Sequence, residues 1–129
     1  MAGANAVLTN CRILVVEDET LIALELVTIL EDEHGSIVGL VQTVADALRL
    51  LPTTQLSCAL LDINLRGETS FGVADALADA DIPFAFVTGY MDSAIPERHR
   101  DRPFIRKPFV VEDVIKTVAA LTTRTRQSG

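Results

Sequence analysis

Apolar and polar positions fall into a repeating pattern of short apolar runs and longer amphipathic stretches. Five runs read as buried strands: Arg12 to Val16, Ser36 to Val41, Leu56 to Leu61, Pro83 to Val87 and Pro103 to Arg106. Pro83 stands at the first position of its run, where proline is tolerated. Between the runs, apolar residues recur at helical spacing. Leu21 to about Glu33 is predicted as a helix, with Thr20 as N-cap and Gly35 as C-terminal cap. Thr43-Val44-Ala45-Asp46 loosely fits a capping box, and the helix that follows, through Leu51, stops at Pro52. Thr69 or Ser70 caps a helix through Val73, Ala74, Leu77 and Ala78. Met91 to about His99 gives a weak fourth helix, made short or irregular by Pro96. Val110 to about Leu121 is the last helix, with Val111, Val114, Ile115 and Val118 on one face; Thr122 to Gly129 reads as a polar tail.

Five strands alternating with five helices imply an α/β fold, a parallel sheet with helices on both faces and right-handed crossovers. Five units are too few for an eight-stranded barrel. The expected topology is the flavodoxin-like, doubly wound order 2-1-3-4-5. In that order the first and third strands are neighbours, so the acidic Glu17-Asp18-Glu19 emerges beside Asp62, at the end of the third strand.

At 129 residues the chain is expected to form one domain, with a core over about 11–122 and flexible ends at 1–10 and 123–129. Its 49% hydrophobic content argues against disorder. The net charge of −7 argues against a nucleic-acid partner, because phosphate neutralisation needs a basic surface. No apolar run approaches the ~18 residues of a membrane span. Met1 to Asn10 lacks the basic start of a secretory signal, so a cytoplasmic location is expected. Cys11 and Cys58 read as two buried thiols, without the spacing of a zinc site.

The strand ends carry the chemistry. Ligands of open α/β sheets bind beyond the carboxyl ends of the strands. Glu17, Asp18 and Asp62 crowd one such crevice, and like charges there call for a cation or a raised pKa. Hard oxygen ligands suit Mg²⁺. Glu19 is assigned to the solvated loop. The fourth strand ends in Thr88-Gly89-Tyr90, where a hydroxyl can bond a phosphoryl oxygen and glycine allows close backbone approach. The fifth ends in Arg106-Lys107-Pro108-Phe109, which brings a compact positive charge to the same end of the sheet. Alone, Thr88 and Lys107 would be ordinary residues; together with the acids they form a specific set.

That set resembles the response regulator receiver domains of two-component signalling. The resemblance rests on Val15-Val16-Glu17-Asp18-Glu19, Leu61-Asp62-Ile63-Asn64-Leu65, Val87-Thr88-Gly89 and Lys107-Pro108-Phe109, in the family's order. Phe86-Val87-Thr88-Gly89-Tyr90 is similar to the variant receivers with a Phe-Ala-Thr-Gly fourth strand, with Val87 in place of the Ala. The resemblance implies that Asp62 accepts a phosphoryl group from a histidine kinase or histidine phosphotransfer protein. It implies Mg²⁺ held by Asp18, Asp62 and the backbone carbonyl of Asn64, with Glu17 binding directly or through water. Lys107 would pair first with Asp62 and then with phosphate, and Thr88 would bind a phosphoryl oxygen. Phe104 falls at the switch aromatic, a role that Tyr90 could share or replace. The short intervals between motifs imply a trimmed third-helix region and a reduced fourth helix.

Leu21 and Leu24 fall among the polar residues of the first helix, near the acidic end. They, with Pro108 and Phe109, are candidates for docking the kinase. The expected function is a stand-alone, phosphorylatable receiver that signals through a downstream protein target and is not an enzyme. Competing classes are an aspartate-based Mg²⁺ phosphatase, a flavodoxin-like electron carrier and a degenerate receiver that only binds. The phosphatase usually has a second acid two residues after its nucleophile, where this chain has Asn64. The electron carrier would need a phosphate loop where Glu17-Asp18-Glu19 would repel it.

Overall fold

The computed structural model describes residues 7–89 and 95–128. A five-stranded parallel sheet runs in the order β2-β1-β3-β6-β7, which is the predicted 2-1-3-4-5 once a small hairpin is set aside. Its strands are β1 (Arg12–Val16), β2 (Ser36–Val41), β3 (Cys58–Asp62), β6 (Phe84–Thr88) and β7 (Phe104–Arg106). The hairpin strands are β4 (Asn64–Leu65) and β5 (Glu68–Thr69). Among the described residues the helices are α1 (Thr20–Asp32), α2 (Val44–Leu50), α3 (Phe71–Asp79) and α4 (Val111–Ser128).

Strand side chains point alternately to the two faces, and the core divides accordingly. Ile13, Val15, Leu60, Val87 and Ile105 pack with Leu26 and Leu30 of α1 and Val114 and Val118 of α4. Leu14, Val16, Leu61, Phe84 and Phe86 pack with Ala47 of α2 and Val73, Ala74 and Leu77 of α3. β3 and β6 are buried along their whole length, as expected of central parallel strands covered on both sides. Cys11 and Cys58 are free and buried, and loss of water drives the Cys58 thiol up to about 12.

Several boundaries differ from the predicted ones. Glu19, not Thr20, caps α1, and no side chain bonds there; the Thr20 hydroxyl accepts instead from Gln42. At the other end of α1 the left-handed residue is His34 (φ 69°), with its N–H on the Glu31 carbonyl and the Gly35 N–H on that of Leu30. Gly35 serves close approach rather than left-handed backbone: a Cβ there would lie 3.0 Å from the Leu30 carbonyl oxygen and 3.1 Å from Ile13 Cδ1. The Thr43 cap is as expected, its hydroxyl accepting from the Asp46 N–H. Ser70 takes the cap position of α3 without a side-chain bond. The predicted strands 56–61 and 83–87 lie later, so that Asp62 and Thr88 are each the last strand residue.

Positions 91–94 of the predicted fourth helix lie outside the described residues; in the rest of it, Glu97–His99 forms a single 3-10 turn. α4 continues past the predicted Leu121 to Ser128, so the polar tail is helical. Of the residues expected on its one face, Val111 is exposed and Val114 and Val118 are buried; Leu121 is buried too. Nor is the stretch before β1 entirely free. Leu8 is fully buried and its N–H bonds the Glu33 carbonyl, which seats the segment against the end of α1.

Candidate functional site

Strand register places the site. Val16 pairs with Leu61, so the residues that follow, Glu17 and Asp62, leave the sheet side by side. Asp62 pairs with Val87, and Thr88 with Arg106, which sets Thr88 and Lys107 at adjoining strand ends. The Lys107 N–H also bonds the Thr88 carbonyl. A cleft of about 430 Å³ opens beyond these ends, lined by Asp18, Asp62, Asn64, Arg66, Thr88 and Lys107 among others.

Lys107 Nζ lies 3.2 Å from Asp62 Oδ2 and 2.9 Å from Glu17 Oε1. The Glu17 contact is an ion pair to a fully buried oxygen. Glu17 Oε2 accepts from the Glu19 N–H. Glu19 itself is exposed, its carboxylate 3.9 Å from Lys107, in line with the loop role assigned to it.

Burial is the largest influence on Glu17 and drives its pKa up to about 7. Lys107 opposes that rise and Asp62 adds to it. Burial alone would lower the Lys107 pKa, but the Glu17 and Asp62 carboxylates outweigh it and the net shift is upward. One lysine therefore serves two carboxylates, with Asp18 half-buried beside them.

Carboxylate oxygens of Glu17, Asp18 and Asp62 can all lie within 4.8 Å of one another. Three carboxylates that converge hard oxygen ligands in this way fit a small divalent cation. Asn64 lines the cleft, and its N–H donates to Asp62 Oδ1 at 3.3 Å.

The remaining predicted residues sit further out. Phe104 is 41% exposed on β7, its backbone paired with Phe86. Tyr90 lies outside the described residues. Leu21 and Leu24 are 82% and 50% exposed. Pro108, joined to Lys107 by a cis peptide bond, and Phe109 line a groove of about 300 Å³ with Ile22 and Glu25.

Arg66 and Gly67, which also line the cleft, were not among the residues singled out from sequence. They form the two-residue turn between β4 and β5, both with positive φ (52° and 85°). The available signal was a lone glycine between short polar and apolar residues, a common turn mark.

A five-stranded parallel sheet with an acidic cleft at its carboxyl edge defines a class, and sequence comparison resolves it further. The chain belongs to the response regulator receiver domain family, whose model matches residues 13–119. It is a module of two-component signal transduction, and its acidic triad is typical of the receivers' Mg²⁺ site.

It is 49% identical to SdrG from Sphingomonas melonis Fr1, covering 89% of this chain and 97% of that structure, with a TM-score of 0.77. A BeF3-activated conformation of SdrG, from Pseudomonas melonis Fr1, matches at 48% identity over 86% and 95% of the two chains, with a TM-score of 0.75. The phyllosphere-induced regulator PhyR of Methylorubrum extorquens is 29% identical over 112 residues, 84% of this chain and 42% of PhyR. The chain thus spans less than half the length of that relative.

Proposed function

We propose that the protein is a phosphorylatable receiver that takes a phosphoryl group onto Asp62 from a phosphohistidine of a histidine kinase or histidine phosphotransfer protein. The observation that carries the reading is the single lysine shared by Asp62 and Glu17 at the mouth of the cleft. In the transfer, an Asp62 carboxylate oxygen forms a bond to phosphorus as the bond from phosphorus to the imidazole nitrogen breaks. The electron pair stays on the imidazole nitrogen, and the ring leaves as neutral imidazole because its other nitrogen carries a proton. Lys107 holds Asp62 beforehand and moves onto the phosphoryl oxygens as the carboxylate charge passes to them. The Thr88 hydroxyl donates to one of those oxygens. A bound Mg²⁺, held by Asp18, Asp62 and Asn64 with Glu17 alongside, would neutralise charge on the transferring group.

The BeF3-activated conformation of the 48%-identical SdrG supports the reading, since a fluoroberyllate on a carboxylate has the shape of a phosphoryl group. The exposed Leu21 and Leu24, with the groove beside Pro108 and Phe109, are the proposed kinase-docking face. Phe104, exposed on β7, together with Tyr90, would report the phosphorylated state to a downstream protein target as a population shift. A phosphatase is disfavoured by Asn64 at the position where its second acid would stand.

Acetyl phosphate with Mg²⁺ should label the protein, and Asp62→Asn should abolish labelling. Undiminished labelling in that variant, or turnover of free phosphate esters, would count against the reading. Leu24→Lys should block transfer from a kinase while leaving acetyl phosphate labelling intact; equal loss of both would refute the docking face.

A further inference from the structure

We infer that the Arg66–Gly67 turn is a positioning element for the cation site, fixing Asp18 through the Arg66 backbone N–H. The inference rests on the cation reading of Glu17, Asp18 and Asp62 given above. The Arg66 N–H donates to Asp18 Oδ2 at 3.1 Å, across 48 residues of sequence. Asp18 sits only half-buried in the loop after β1, and no neighbouring cation is paired with it among the described residues. A carboxylate so placed needs a fixed donor if one of its oxygens is to face Glu17 and Asp62.

The turn is built to supply that donor. With two central residues at positive φ it has the backbone of the type I′ hairpin turn, which aims its amides in set directions. Leu65, just before the turn, is buried in the core and anchors the hairpin. On the far side the Arg66 guanidinium donates to Gln42 Oε1 at 2.9 Å, and Gln42 Nε2 donates to the Thr20 hydroxyl at 3.2 Å. A hydrogen-bonded chain therefore ties the hairpin to the loop after β2 and the first residue of α1. Asp18 lies inside that loop of contacts. Arginine in left-handed backbone is costly for an L-residue, so the tether and the anchor hold a conformation that would otherwise relax.

Gly67 gives a clean test, because a Cβ there meets nothing within 4 Å and a substitution acts through backbone conformation alone. At φ 85° a β-branched residue is strained, whereas asparagine tolerates left-handed backbone. Mg²⁺ titrations followed by amide NMR should show Gly67→Val weakening binding by roughly tenfold, as loss of an outer-shell contact does elsewhere. Gly67→Asn should recover affinity to within about threefold of the parent. Asp18→Asn serves as the reference for a lost ligand.

Parent-like affinity in folded Gly67→Val, beside loss in Asp18→Asn, overturns the role of the turn and leaves the cation site standing. Full affinity in Asp18→Asn overturns the cation reading and this inference with it. A second measurement stands if Gly67→Val does not fold. In the parent protein the Arg66 amide proton should exchange with solvent roughly tenfold more slowly than in Asp18→Asn, since its acceptor would be weakened there. Equal exchange rates overturn the inference.

Discussion

Glu17 carries the sharpest residue-scale conflict in the molecule. It is 1% exposed, next to another carboxylate, with a shared lysine for compensation. Its pKa of about 7, against an ordinary 4.5, means that the folded protein holds a proton there which the unfolded chain releases earlier. Below about pH 4.5 both states are protonated and the residue costs nothing. As pH rises from 4.5 through 7 the unfolded chain ionises first and stability is lost; above 7 the full penalty, on the order of 3 kcal/mol, is present. In buffer with EDTA, Glu17→Gln should therefore lose less stability than the parent between pH 4.5 and 8, measured by urea denaturation. Parallel curves for the two proteins would contradict the burial argument. Sequence made Glu17, Asp18, Asp62, Thr88 and Lys107 legible because their strands end in chemically distinctive residues. It could not reveal that Lys107 divides itself between two acids, which depends on side-chain reach across three strands.

At the scale of elements, periodicity located every strand of the main sheet, because fully apolar runs stand out against polar crossovers. It misjudged ends where a helix continues without apolar residues, as α4 does beyond Leu121. The hairpin after β3 escaped notice since two-residue strands leave no periodic trace.

The crossover from β6 to β7 was read as a weak helix, but its described part is held by side chains instead. His99 is buried, its Nε2 2.7 Å from Asp75 Oδ1 on α3, and its ring lies edge-on to Phe84 and Phe86. Arg98 adds ion pairs to Asp75 and Asp79, but these are half or more exposed and such pairs contribute little. Packing at His99 should dominate. His99→Ala should cost about 2–4 kcal/mol in chemical denaturation through the cavity it leaves, while Arg98→Ala should cost under about 1 kcal/mol. The reverse order would show that the turn is held by its surface charges.

For the whole molecule, topology does what no local signal can. Placing β1 between β2 and β3 brings the acidic loop, Asp62, Thr88 and Lys107 to one edge, although they are spread from residue 17 to residue 107. The doubly wound order was predictable because alternating strands and helices leave few ways to cover both faces of a parallel sheet. The accessory faces were less legible. Leu21 and Leu24 were recognised as out of place on their helix, and are exposed, but Val111 was placed on one face with Val114 and Val118 and is exposed where they are buried. The difference is that a helix sets its rotation by packing partners that sequence spacing alone does not identify.

Borohydride trapping tests the central claim most directly. An acyl phosphate on aspartate is reduced to homoserine, which marks the acceptor covalently. After acetyl phosphate and Mg²⁺ treatment, peptide mass spectrometry should find homoserine at position 62 and at no other aspartate. Homoserine at Asp18, or none anywhere in protein shown to be folded and labelled, would contradict the account of Asp62 as the acceptor.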